Sequence, residues 1–234
     1  MKKIVLLFTA LIAVSVISAQ SLDDILKQYS TAMHSDKLAG IKTIKITGKM
    51  SAMGMEMPMV MQMKNPDKIK VTYTINGMEM TSVFDGVKGY TMNPMTGSAE
   101  PVELTGEQLT QVKNNNIFTN QLQEYQKKKQ LTYEGIENVD GKPASKLKVT
   151  VEGGNPIYMY VDKGTGLIVK SVTKVAQQGT VMDVETSMTD YVDTHGVMMP
   201  KKTIAKMNGM EAGVISFDLI EVDVPMDDSV FKIK

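Results

Sequence analysis

The chain has 234 residues, with 26 acidic residues, 26 Lys and neither Arg nor Cys, which excludes disulfides, thiolate metal sites and a lipid-bearing cysteine. A formal net charge of zero argues against a nucleic-acid partner, and without Arg there is no planar fork for paired grip on phosphate or carboxylate. Twenty-one Met stand beside five Phe and no Trp, so the apolar faces are built largely from flexible thioethers.

Lys2 and Lys3 precede an apolar run from Ile4 to Val16 and the small residues Ser18 and Ala19, the order of a secretory signal peptide. The run falls short of the ~20 residues that span a bilayer. Residues 1–19 are therefore read as a signal peptide and 20–234 as a single exported domain, soluble in the periplasm. The mature chain keeps 24 Lys against 26 acidic residues, a net charge of −2.

Leu22, Ile25, Leu26, Tyr29 and Met33 recur at helical spacing behind Ser21 as N-cap, with Asp23 and Asp24 at the positive end of the helix dipole. A helix from Leu22 to about Ser35 follows. After Ile41 the period becomes two, giving a strand over 43–50. Met53, Met55, Met57, Met59, Met61 and Met63 then alternate with other residues, a long strand in which Pro58 calls for a bulge or an edge. Ile69, Val71, Tyr73 and Ile75 share the next face, Asn76-Gly77 is a two-residue hairpin turn, and a strand runs over 78–84. That turn sets Ile75 opposite Met78, Tyr73 opposite Met80 and Ile69 opposite Phe84, all on one concave apolar face.

A short strand over 87–92 ends at Asn93-Pro94 and a loop to Pro101. Weaker periodicity over 104–114 and 118–128 suggests one or two lid-like helices. Strands over 131–139, 144–151, 157–161, 167–174, 180–192, 197–207 and 214–222 follow, separated by Gly-rich and Asn- or Asp-containing turns. Short turns between consecutive strands mean antiparallel pairing. The expected fold is mainly β with helices, about eleven antiparallel strands in a strongly curved sheet or partial barrel.

Chemistry is sparse. His34 and His195 are the only histidines, no glycine-flanked nucleophile elbow surrounds any Ser, and Asp183, Glu185 and Asp190 fit a charged strand face. No enzyme, no cofactor and no resident metal is expected. The Met-rich strand has three readings: a core face, a surface that repacks around an apolar ligand, or a Cu(I) site, since soft thioethers select that ion. Residues two apart on a strand lie ~7 Å apart, wide for one small ion.

The order of several short segments resembles the LolA-like superfamily of periplasmic outer-membrane lipoprotein carriers, which includes LppX-like proteins. The segments are Asn65-Pro66-Asp67-Lys68-Ile69-Lys70; Asp85-Gly86 with Tyr90 and Asn93-Pro94; Val139-Asp140-Gly141-Lys142; Tyr160-Val161-Asp162 with Thr165-Gly166-Leu167; Gly196-Val197-Met198-Met199-Pro200; and Asp227-Asp228-Ser229-Val230-Phe231. The resemblance implies an eleven-stranded incomplete barrel over helices, enclosing an apolar cavity for acyl chains. It further implies a non-enzymatic carrier of lipoproteins or lipids, with an inner-membrane release complex and an outer-membrane acceptor as partners. The residues assigned to the lipid are Met55, Met57, Met59, Met61, Ile69, Val71, Tyr73, Ile75, Met78, Met80 and Phe84. Carriers of this family use an Arg on an early strand, where this chain offers Lys68 and Lys70. The alternatives are a Met-rich periplasmic Cu(I)-binding protein and a lipid-sensing envelope-stress protein.

Overall fold

A computed structural model describes residues 20–38, 40–96, 98–114, 117–177 and 180–232; the signal peptide read at 1–19 lies outside them. The first helix begins at a reciprocal cap. The Ser21 hydroxyl accepts from the Asp24 N–H at 3.1 Å, and the Asp24 carboxylate accepts from the Ser21 N–H at 3.1 Å, which satisfies two of the helix's orphan donors. Helix α1 (Leu22–Ala32) stops earlier than its spacing predicts, because His34 takes a left-handed φ of 50°. The chain turns there into the four-residue α2 (Ser35–Leu38), which buries Leu38.

The remaining chain forms β1 (Thr43–Ala52), β2 (Met55–Lys64), β3 (Lys68–Ile75), β4 (Met78–Phe84), β5 (Gly89–Asn93) and β6 (Ser98–Leu104), then α3 (Gly106–Asn114) and α4 (Gln121–Lys127). Strands β7 (Leu131–Val139), β8 (Lys142–Val149), β9 (Ile157–Asp162), β10 (Ile168–Gln177), β11 (Thr180–Thr194), β12 (Val197–Met207) and β13 (Met210–Val222) complete it. All thirteen lie in one open antiparallel sheet, ordered β6-β5-β4-β3-β2-β1-β13-β12-β11-β10-β9-β8-β7. The first strand thus pairs with the last, and β6 and β7 are the free edges of an incomplete barrel.

The expected count of about eleven is corrected to thirteen. A strand over 98–104 went unread because Pro101 and its polar neighbours look like loop, yet β6 pairs only with β5, and an edge strand tolerates proline. Pro58 of β2 behaves similarly. It sits opposite Lys49 of β1 with no shift of register, while pairing with β3 begins only at Met59, so β2 is locally an edge there. The expected register of the β3–β4 hairpin is the observed one: Ile75 faces Met78, Tyr73 faces Met80 and Ile69 faces Phe84. Asn76 and Gly77 take φ of 50° and 78°, as a type I′ turn requires. Met53, which looks like a strand residue by alternation, instead shares such a turn with Gly54 at φ of 51° and 75°.

Where β1 meets β13 the register shifts at Thr47/Gly48. A Cβ on Gly48 would lie 2.1 Å from the Ser216 carbonyl oxygen, so the two backbones approach as closely as they do because that residue has no side chain. Gly89 serves a different close approach, since a Cβ there would meet Leu109 of α3 at 2.7 Å. The helices rest on two apolar clusters. One joins Ile25, Leu26 and Leu122 to Leu131, Leu147, Val149 and Val161; the other joins Leu38 and Phe118 to Ile44, Ile46, Met59, Met63, Ile69, Val71, Phe84, Val197 and Met199.

Candidate functional site

Between the helical cover and the middle of the sheet lies a cavity of about 360 Å³. Its sheet wall is Ile46 of β1, Met61 and Met63 of β2, Met188 of β11, Met199, Pro200 and Thr203 of β12, and Ile215 and Phe217 of β13. These residues come together because β1 pairs with β13: Met61 faces Ile46, and Thr203 faces both Ile215 and Met188. Residues directly opposite in an antiparallel sheet share a face, so a single face assembles a wall from both ends of the chain. The cover supplies Tyr29, Met33 and Leu38 from the first two helices and their junction, with Ile117 from the segment before α4.

One margin of the cavity is polar, formed by Ser35, Thr119, Asn120 and Gln121. The Asn120 amide donates to Ser30 Oγ at 2.8 Å and Ser35 Oγ at 3.0 Å. Its Oδ1 accepts from the Gln123 N–H at 3.1 Å, capping α4. One side chain therefore ties α4 to α1 and α2. At the helix junction, His34 Nδ1 lies 3.4 Å from Asp193 Oδ2, and Asp193 Oδ1 accepts from the Gly196 N–H at 2.6 Å. The helix junction therefore lies beside the β11–β12 turn, with His34 Nδ1 buried there and making no hydrogen bond. Burial pushes the Tyr29 hydroxyl up to about 12; like any tyrosine it is protonated at neutral pH and can donate to a ligand oxygen.

The arrangement suits an amphiphile: thioether and aliphatic walls for hydrocarbon, with amide and hydroxyl groups at one margin for a polar head. Among the described residues no group of three or more His, Asp or Glu side chains could hold a metal ion.

The residues assigned to the ligand from sequence are distributed by depth. Met61 lines the cavity. Met59, Ile69, Val71 and Phe84 are buried in the adjoining cluster, with Tyr73 packed against it, and Lys113 of α3 lies 4.8 Å over the Phe84 ring. Met57 is buried, Ile75 and Met80 are half-buried, and Met55 and Met78 are exposed at hairpin ends. Sequence reasoning did not single out Tyr29, Met33, Leu38, Ile117, Met188, Met199, Ile215 or Phe217 as ligand-facing. Met63 carried a signal as the last of the alternating methionines, and Tyr29 and Met33 carried one as part of the apolar stripe of the first helix; the others come from segments distant in the chain.

No family model matches the chain, and no curated protein is detectably similar in sequence. Solved structures are similar in fold. A DUF1329 family protein from Desulfovibrio piger superposes with a TM-score of 0.62 at 13% identity, covering 89% of this chain and 97% of its own. A domain described as an outer membrane lipoprotein-sorting protein, from Vibrio parahaemolyticus, gives 0.60 at 10% identity over 88% and 95% of the two chains. A LolA superfamily protein from Nitrosomonas europaea gives 0.57 at 12% identity over 88% and 97%. Similarity this low in sequence and this extensive in structure establishes an architecture, and the architecture of this chain is the LolA-like incomplete barrel.

Proposed function

We propose that the protein is a non-enzymatic periplasmic carrier that shields acyl chains of lipoproteins or free lipids in the cavity beneath its helices. The observation that carries this reading is the cavity itself. It is apolar on its sheet wall, polar at one margin, and falls within the ~300–1,000 Å³ range of small-ligand sites. Physical need supports it too: each CH₂ exposed to water costs ~0.8 kcal/mol, so an acyl chain of about sixteen carbons costs on the order of 12 kcal/mol. Unbranched Met side chains repack around chains of differing length.

The test is uptake of a fluorescent fatty acid by protein from which lipid has been extracted, with native mass spectrometry of protein taken directly from the periplasm. Saturable uptake and a co-purifying acylated ligand are expected. Absence of uptake together with tight Cu(I) binding would replace the carrier with the copper reading. Donor and acceptor complexes at the two membranes are the partners that the carrier reading entails.

A further inference from the structure

The sheet has two rims, and they differ in kind. The antiparallel order places the turns at 53–54, 76–77 and 208–209, and the short 3-10 turn Pro94–Thr96, at one rim. Around these turns Met53 is 94% exposed, Met210 74%, Met95 51%, Met55 50%, Met207 41% and Met78 40%. At the other rim the turns hold Asn65-Pro66-Asp67, Asp85-Gly86, Gly164-Thr165-Gly166 and Asp193-Thr194-His195, and Val87 is the exposed large apolar residue among those described.

Met53 works against the fold. It occupies a left-handed position at φ 51°, where the corresponding residues of other turns are Asn76, Asn208 and Asp140, residue types that accept this conformation more readily. Its exposure means that burial offsets none of the strain. Near the tips Lys49 lies 2.6 Å from Glu56 and Lys174 lies 2.7 Å from Asp183, while Glu79 and Glu211 are exposed beside Met78 and Met210. The fringe therefore presents methionines with no excess of cations, which suits a zwitterionic lipid surface better than an anionic one. It is also continuous with the cavity: Met55 at the rim shares the β2 face with Met61 and Met63 in the cavity wall, with Met57 and Met59 between.

We propose that this methionine rim docks on a phospholipid membrane surface, setting the Met53 and Met210 tips into the boundary between headgroups and acyl chains. The purpose of such docking rests on the carrier reading; the docking itself does not. The experiment is flotation of the mature protein with pure phosphatidylcholine vesicles, beside the double variant Met53→Asn/Met210→Ser and beside fatty-acid uptake by both proteins. The wild type is expected to float with the vesicles. The variant should bind about tenfold or more weakly, having lost two apolar side chains from the contact, while melting no lower and taking up fatty acid equally well. Raising salt to about 1 M, where the screening length is ~3 Å, should change wild-type binding little. Equal binding by the variant, no flotation, or binding that requires anionic lipid and disappears in salt would overturn the proposal. So would a concentration-dependent dimer that the variant abolishes without any vesicle binding, which would give the rim to a second copy of the chain. Flotation without uptake would sink the carrier and leave the docking; uptake without flotation would do the reverse.

Discussion

The two helix-covered regions of the sheet face are built from different side chains, and the difference separates a filled region from one that encloses a cavity. Under α1 and α4 the contact is made by Ile25, Leu122, Leu147 and Val149, each 0% exposed, with Val161 at 1%. Mostly branched side chains, with Met159 among them, fill that space. Over β1, β2, β11, β12 and β13, Met33, Met61, Met63, Met188 and Met199 stand with Ile46, Ile215 and Phe217 around a cavity of about 360 Å³. Flexible thioethers tolerate an unfilled neighbour because they lose less by moving. A helix covers both regions; one is filled and the other encloses a cavity.

The largest expected effect comes from a charge placed in the packed part of the Met strand. Met59 is 1% exposed and lies in the core cluster, so Met59→Glu should cost upwards of ~4 kcal/mol and lose cooperative unfolding at neutral pH, read by denaturant titration. Leu147→Ala comes next, at about 2–5 kcal/mol, since the removed atoms leave a void in a filled region. Met61→Ala sharpens the contrast. Its partners on the cavity side are already missing, so it should cost less than ~2 kcal/mol yet change fatty-acid affinity; an equal cost at Leu147 and Met61 would erase the distinction between core and site. Met61→Leu conserves apolar volume, should cost under ~1.5 kcal/mol, and should keep uptake.

The smallest effect concerns the anchor of the C-terminal turn. Asp228 receives Lys64 Nζ at 2.6 Å and Lys68 Nζ at 2.9 Å, tying the C-terminal turn to β2 and β3 while Phe231 is buried next to it. Those two lysines hold its carboxyl down to about 2, from an ordinary 3.8. The folded state therefore binds that proton less readily than the unfolded chain does, so the contribution is full above about 3.8 and disappears as pH falls toward about 2. Thermal melts of Asp228→Asn should lie slightly below wild type at neutral pH and converge with it near pH 2. A constant gap across that range would show that the pair contributes through packing.

Legibility in the sequence tracked the range of the interaction that decides each feature. The β3–β4 register was legible because Asn76-Gly77 sets it within two residues, and the pairing of Tyr73 with Met80 follows. The two lid helices announced themselves by periodicity, if weakly. The break between α1 and α2 did not, since nothing at Met33-His34 is a helix breaker and the left-handed turn at His34 leads Leu38 into the apolar cluster on the sheet. Strand β6 was illegible because an edge strand beside Pro101 need not alternate. Met53 was misplaced by its own regularity, as alternation runs on unbroken into a turn that only the hairpin's geometry reveals.

The residues by themselves determined that Met55, Met57, Met59, Met61 and Met63 share a face, because the pleat of a strand repeats every two residues and needs no partner. Tertiary structure decided their depth: Met55 at an exposed rim, Met57 and Met59 buried, Met61 and Met63 on a cavity wall. Depth depends on what lies across the sheet and above it, and here that is β13 and the helices, more than 150 residues away in one case for Ile46 and Ile220. A strand's own sequence carries no record of the segment that will cover it; the cavity exists because the last strand pairs with the first and the helices do not fill the space between.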